Sequence, residues 1–101
     1  MEIIGKGLLQ QFWQKHQRAE KPLQHWINIV EAAHWRKWHD IKQTFNTADL
    51  VHVGNKRYVI FNISGNKYRL ITAVNYMGQL VVIEIVLTHK DYSKESWKNK
   101  L

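Results

Sequence analysis

The chain has 101 residues, 45% of them apolar and 23% charged, which is enough for one core and too little for several, so it is expected to form a single domain over residues 1–101. Its lack of cysteine excludes disulfides and thiolate metal sites and suits a reducing compartment. The net charge of +7 is uneven: residues 1–50 carry seven Lys/Arg against five Asp/Glu, and residues 51–101 carry eight against three. A basic second half suits an anionic partner such as RNA, an acidic protein or a membrane surface, although a plainly solvated surface explains the charge equally well. The longest apolar stretch, Leu80–Leu87, contains Glu84 and is too short to span a bilayer. The N-terminus, with an acid at Glu2, has no signal-peptide pattern. A cytoplasmic protein without a membrane partner is expected.

In chain order, Ile3 and Ile4 suit a short first strand, and Gly5 and Gly7 loosen the chain after it. Leu8, Leu9, Phe12 and Trp13, then Leu23, Trp26, Ile27, Val30, Ala33 and His34, recur at helical spacing. Pro22 separates these helices and fits the first turn of the second. Asp40 suits the cap of a third, short helix ending near Phe45. From residue 50 the period changes. Val51–Val53, Arg57–Ile63, Tyr68–Tyr76 and Leu80–Thr88 are expected strands, separated by Gly54-Asn55, Gly65-Asn66 and Gly78 as hairpin signals. Asp91–Lys98 suits a closing helical turn. The fold class is α+β: a small antiparallel meander with the N-terminal helices packed on one face. Trp13, Trp26, Trp35 and Trp38 fall on or near the apolar stripes and are expected in the core, with Arg36 and Lys37 solvated.

Arg69 is the residue that needs explaining, because a guanidinium inside a buried strand is costly. With Gly65-Asn66 as a two-residue turn, Ile63 faces Tyr68 and Asn62 faces Arg69. Alternation then directs Val59, Phe61, Ile63, Tyr68, Leu70 and Val74 toward the helices. Tyr58, Ile60, Asn62, Arg69, Ile71 and Ala73 take the opposite, open face, where Arg69 need not be buried. The next hairpin sets Arg69 opposite Leu87 or Thr88, so that Lys67, Arg69, His89, Lys90 and Tyr92 converge at one end of the sheet. Such a set suits RNA cleavage through the 2′-hydroxyl: cations neutralise phosphate, histidine moves a proton, and tyrosine donates a hydrogen bond or stacks on a base. The second half offers only Glu84, Asp91 and Glu95 as carboxylates, so a metal-free route is expected. The blander alternatives are an Arg69–Glu84 ion pair bracing the sheet, a strand-end His89 bonded to backbone, and a Tyr92 that merely packs. His34 and His39, with His16 and His25 upstream, lack the spacing and the companion ligands of a metal site, and no metal or cofactor is expected.

"FNISGNKYRLI" at Phe61–Ile71 followed by "LTHKDY" at Leu87–Tyr92 resembles the HigB toxins of type II toxin–antitoxin systems, within the RelE-like superfamily. Trp26, Ala33, Trp35, "DIKQTF" at Asp40–Phe45 and "AD" at Ala48–Asp49 add to the likeness, which spans nearly the whole chain. Ser64 stands where that family often has Gly, Ser93 where Asp is common, and Glu84 where a basic residue is frequent. The resemblance implies a RelE-like fold with helices on one face and RNA on the other. It further implies an mRNA interferase acting on the translating ribosome, with mRNA and the ribosome as partners and a HigA-type helix-turn-helix antitoxin as its silencer. Arg69, His89 and Tyr92 are the expected catalytic positions, and Lys56, Arg57, Asn62, Lys67 and Lys90 the expected RNA contacts. The competing expectation is a non-enzymatic basic module that binds RNA or the ribosome.

Overall fold

The computed structural model describes residues 1–101 as four α-helices around a five-stranded sheet. Strand β1 (Glu2–Ile4) leads into α1 (Lys6–Lys15), and a 3₁₀ turn at Gln17–Ala19 joins that helix to α2 (Glu20–Ala32). Helix α3 (Trp38–Thr44) precedes β2 (Asp49–Val53), β3 (Lys56–Ile63), β4 (Tyr68–Asn75) and β5 (Leu80–Thr88). The chain closes with α4 (His89–Ser93) and a second 3₁₀ turn, Ser96–Lys100.

Local chemistry explains most boundaries. In α2 the buried residues Leu23, Trp26 and Val30 form one stripe at helical spacing, and Pro22 sits in the first turn, where its missing N–H is not needed. Asp40 is not the cap of α3. That position belongs to Lys37, and Asp40 lies inside the first turn, its carboxylate accepting the backbone N–H of Arg36 at 2.8 Å. An acid three residues into a helix reaches back to a free N–H in this way. The bond holds the Asp40 carboxyl below the ordinary aspartate range.

Strands β2 to β5 form the expected antiparallel meander, and Asn62↔Arg69, Ile63↔Tyr68 and Arg69↔Leu87 are the observed pairs. Strand β1 departs from it. It pairs parallel to β5 through Glu2↔Leu80, Ile3↔Val81 and Ile4↔Val82, giving the order β1-β5-β4-β3-β2. A three-residue strand carries no directional signal of its own; the path of the following helices decides it. Gly5 makes the bend possible, with φ at 99° and the site of an absent Cβ only 3.2 Å from Ile83 Cβ. A bulge pairs Ile71 with Ile85 and Thr72 with Ile83, leaving Glu84 unpaired. Ile83 therefore packs under the helices while Ile85 packs on the opposite face.

The helix-covered face holds the main core: Val59, Phe61, Ile63, Tyr68, Leu70, Val81 and Ile83 against Leu9, Leu23, Trp26, Val30, Trp35 and Ile41. Phe61 is its centre, with the rings of Trp26, Trp35 and Phe45 at 5.3, 6.2 and 5.2 Å. Trp13 and Trp38 are partly buried against the same core.

The other face is not open. Tyr58, Ile60 and Ile71 form a second, smaller core with Trp97, and Leu87, Tyr92 and Leu101 pack around it. Tyr58 is 4% exposed and Arg69 only 8%, so the expectation of an Arg69 standing free on an open face is corrected: the face is right and the exposure is not. The reason is the apolar side chains that share this face. Tyr58, Ile60 and Ile71 need cover, and the C-terminal segment folds back to supply it.

Candidate active site

Two segments meet where β4 begins and β5 ends. The turn after β3 closes with the Lys67 N–H donating to the Ser64 carbonyl at 3.3 Å, with Gly65 at φ 66°. The His89 N–H then donates to the Lys67 carbonyl at 2.8 Å, tying the start of α4 to that turn. Thr88 caps α4, its hydroxyl accepting the Asp91 N–H at 3.2 Å, and the His89 carbonyl accepts the Ser93 hydroxyl at 2.9 Å. On the helix side, Phe12 stacks on His16 at 4.3 Å and meets Tyr68 edge-on at 5.6 Å, which anchors the first residue of β4.

Arg69 is held without a carboxylate. Its guanidinium donates to the Asn66 side-chain oxygen and to the Tyr68 carbonyl at 3.2 Å. It also lies 5.3 Å from the centre of the Tyr92 ring. The ion pairs of the chain are Lys6–Glu31, Lys94–Asp91 and Lys98–Glu95, so the alternative of an Arg69–Glu84 brace is absent. Tyr92 also stacks on Trp97 at 5.3 Å and 15°, the Trp97 Nε1–H donates to the Tyr92 carbonyl at 2.9 Å, and the Lys98 ammonium lies 5.7 Å from the Trp97 ring. Arg69, Tyr92, Trp97 and Lys98 thus form a chain of cation–ring and ring–ring contacts. A buried cation satisfied only by neutral acceptors and a π-face keeps its charge uncancelled and retains N–H donors for an anion.

Of the expected site residues, Asn62, Lys67, Arg69, His89, Lys90 and Tyr92 come together at this end of the sheet. Lys67, His89 and Lys90 are exposed, and the His89 ring has no hydrogen-bond partner within the chain. Lys56 and Arg57 lie elsewhere, pairing with Val53 and His52 at the start of β3, about 17 Å of strand from Asn62. Sequence reasoning missed two contributors. Asn66 reads only as a turn residue, yet its side chain holds the guanidinium. Trp97 follows a polar tail, and its one signal is that Tyr58, Ile60 and Ile71 lack a cover. No three His, Asp or Glu side chains gather into a group that could hold a metal ion.

Residues 19–95 match the family described as "HigB_toxin, RelE-like toxic component of a toxin-antitoxin system". The chain belongs to the HigB toxin family. It is similar to the mRNA interferase toxin HigB of Escherichia coli K12, with 28% identity over 92 residues, covering 91% of this chain and 88% of that protein. The mRNA interferases HigB of Escherichia coli O157:H7 and Shigella flexneri match to the same extent. The α+β architecture accords with the RelE-like description. The family match ends at Glu95, so Trp97, which supports Tyr92 in this HigB-family chain, lies just beyond the matched span.

Proposed function

We propose that this chain is an endoribonuclease toxin that cuts mRNA, without a metal ion, by attack of the 2′-hydroxyl on the neighbouring phosphate. In this reaction the 2′-oxygen bonds to phosphorus and the bond to the 5′-oxygen breaks. One protein group takes the 2′ proton and another returns a proton to the departing oxygen, leaving a 2′,3′-cyclic phosphate and a 5′-hydroxyl. Arg69 stabilises the crowded, charged phosphate; His89 and Tyr92 provide the proton-handling and ring contacts; Asn62, Lys67 and Lys90 guide the strand. The supporting observation is the Arg69 guanidinium itself, 8% exposed and free of any carboxylate, which suits a cation reserved for a phosphate. The mRNA interferase names of the relatives support the same substrate. Action on the translating ribosome in the cytoplasm, and silencing by a HigA-type helix-turn-helix antitoxin, complete the proposal; no helix is long and apolar enough to cross a membrane.

Programmed ribosomes carrying end-labelled mRNA test it. The wild-type chain is expected to release fragments ending in a 2′,3′-cyclic phosphate, and Arg69→Ala to cut roughly 10²–10³-fold more slowly. Fragments ending in a 3′-hydroxyl would refute 2′-hydroxyl attack. RNA binding without any cleavage would leave the non-enzymatic module as the correct reading.

A further inference from the structure

At the opposite end of β4 from Arg69, and on the helix-covered side of the sheet, Arg36, Lys37, Trp38, Leu50, Arg57, Val59, Val74 and Tyr76 line a cavity of about 430 Å³. That volume falls in the range of about 300–1,000 Å³ typical of ligand pockets. Its construction is layered. Leu50, Val59 and Val74 are aliphatic, Trp38 and Tyr76 add ring surface, and Arg36, Lys37 and Arg57 supply charge. All three cations are exposed, and none of them is in an ion pair. Asp40, the acid of this region, accepts the Arg36 backbone N–H and keeps its charge, which acts on Lys37, so the three cations outnumber it by two. Burial, and then the charge of Asp40, push the Tyr76 phenol above its ordinary range.

An excess of cations beside an aliphatic lining does not suit a bare phosphate, which needs donors and gains nothing from Leu50, Val59 and Val74. They suit a peptide that inserts an apolar side chain and flanks it with carboxylates. A second copy of the chain is disfavoured, because each carries +7. We infer that this cavity seats an acidic segment of the antitoxin, an apolar side chain entering against Trp38 and Tyr76 while carboxylates meet Arg36, Lys37 and Arg57. The inference rests on membership of a toxin–antitoxin family and locates the partner away from Arg69, roughly 17 Å along β4 at Val74.

The test uses the full chain, its purified cognate antitoxin and a labelled single-stranded RNA, with the double variant Arg36→Glu/Lys37→Glu. Both changes are on exposed side chains, and an unchanged thermal midpoint verifies folding. Antitoxin affinity is expected to fall about tenfold or more, with RNA affinity and mRNA cleavage retained. Unchanged antitoxin affinity overturns the inference, and a loss confined to RNA assigns the cavity to RNA instead. Equal losses for both ligands would report a general change of charge rather than a seat, and would overturn it too. Failure of the wild-type chain to bind any antitoxin would defeat the toxin–antitoxin reading itself, whereas docking without cleavage would defeat only the nuclease proposal.

Discussion

The two faces of the sheet are covered by different means. On one face, α1, α2 and α3 bury a 17-residue core centred on Phe61; on the other, a short C-terminal segment closes a four-residue core that includes its own Trp97. The large core sets the strand order and register, while the small one carries Arg69, Tyr92 and the ties to His89. The proposed site residues are thus gathered on the more lightly held face, where few apolar contacts stand against opening. The comparison teaches that rigidity and the proposed chemistry are divided between opposite sides of the same strands: β4 alone presents Leu70 to one core and Arg69 and Ile71 to the other side.

Substitutions can break that division of labour. The largest effect is expected from His89→Ala, an exposed residue outside both cores. Cleavage should fall by roughly 10²–10⁴, as for loss of a general acid or base, with an unchanged thermal midpoint. Normal cleavage by this variant would return His89 to the role of a strand-end histidine.

Phe61→Ala and Trp97→Ala form a matched pair. Emptying the space of Phe61 should lower global stability by about 3–5 kcal/mol, read from denaturant unfolding, because four aromatic rings meet there. Trp97→Ala should cost less. Its damage should be local, with faster hydrogen exchange in α4 but not in α2, together with reduced cleavage because Tyr92 and Arg69 lose their support. Trp97→Phe, which keeps a ring on Tyr92, should recover most of that cleavage. Equal loss of protection in α2 and α4 would mean that the two faces unfold as one unit.

The smallest effect belongs to Asp40, on the helix side. A carboxyl whose folded pKa is depressed contributes stability above its unfolded pKa, and that contribution is lost as pH falls through the folded value. Asp40→Asn should therefore melt slightly below the wild type at pH 7. The gap should shrink below about pH 4 and vanish in stronger acid. A gap that stays constant with pH would show that the bond to the Arg36 N–H does not depend on charge.

Much of this molecule was legible without coordinates. Period-2 alternation and three glycine-marked turns determined β2 to β5 and their register, since a one-residue slip would turn Val59, Phe61 and Leu70 out of the core. Register in turn brought Asn62, Arg69 and the Thr88–Tyr92 segment to one end of the sheet. Helical spacing likewise determined the buried stripe of α2. What the tertiary structure decided depends on contacts between segments distant in sequence or on features without a local signal. The parallel pairing of β1 with β5 follows from the route of the intervening helices, and the bulge at Glu84 from how Ile83 and Ile85 divide between two cores. The burial of Arg69 beneath Tyr92 depends on Trp97 returning across the sheet, and the joining of Arg36 and Lys37 with Arg57 on α3 packing beside β3. Alternation along a strand determines which face a residue occupies; only the chain folded over that face decides whether water reaches it.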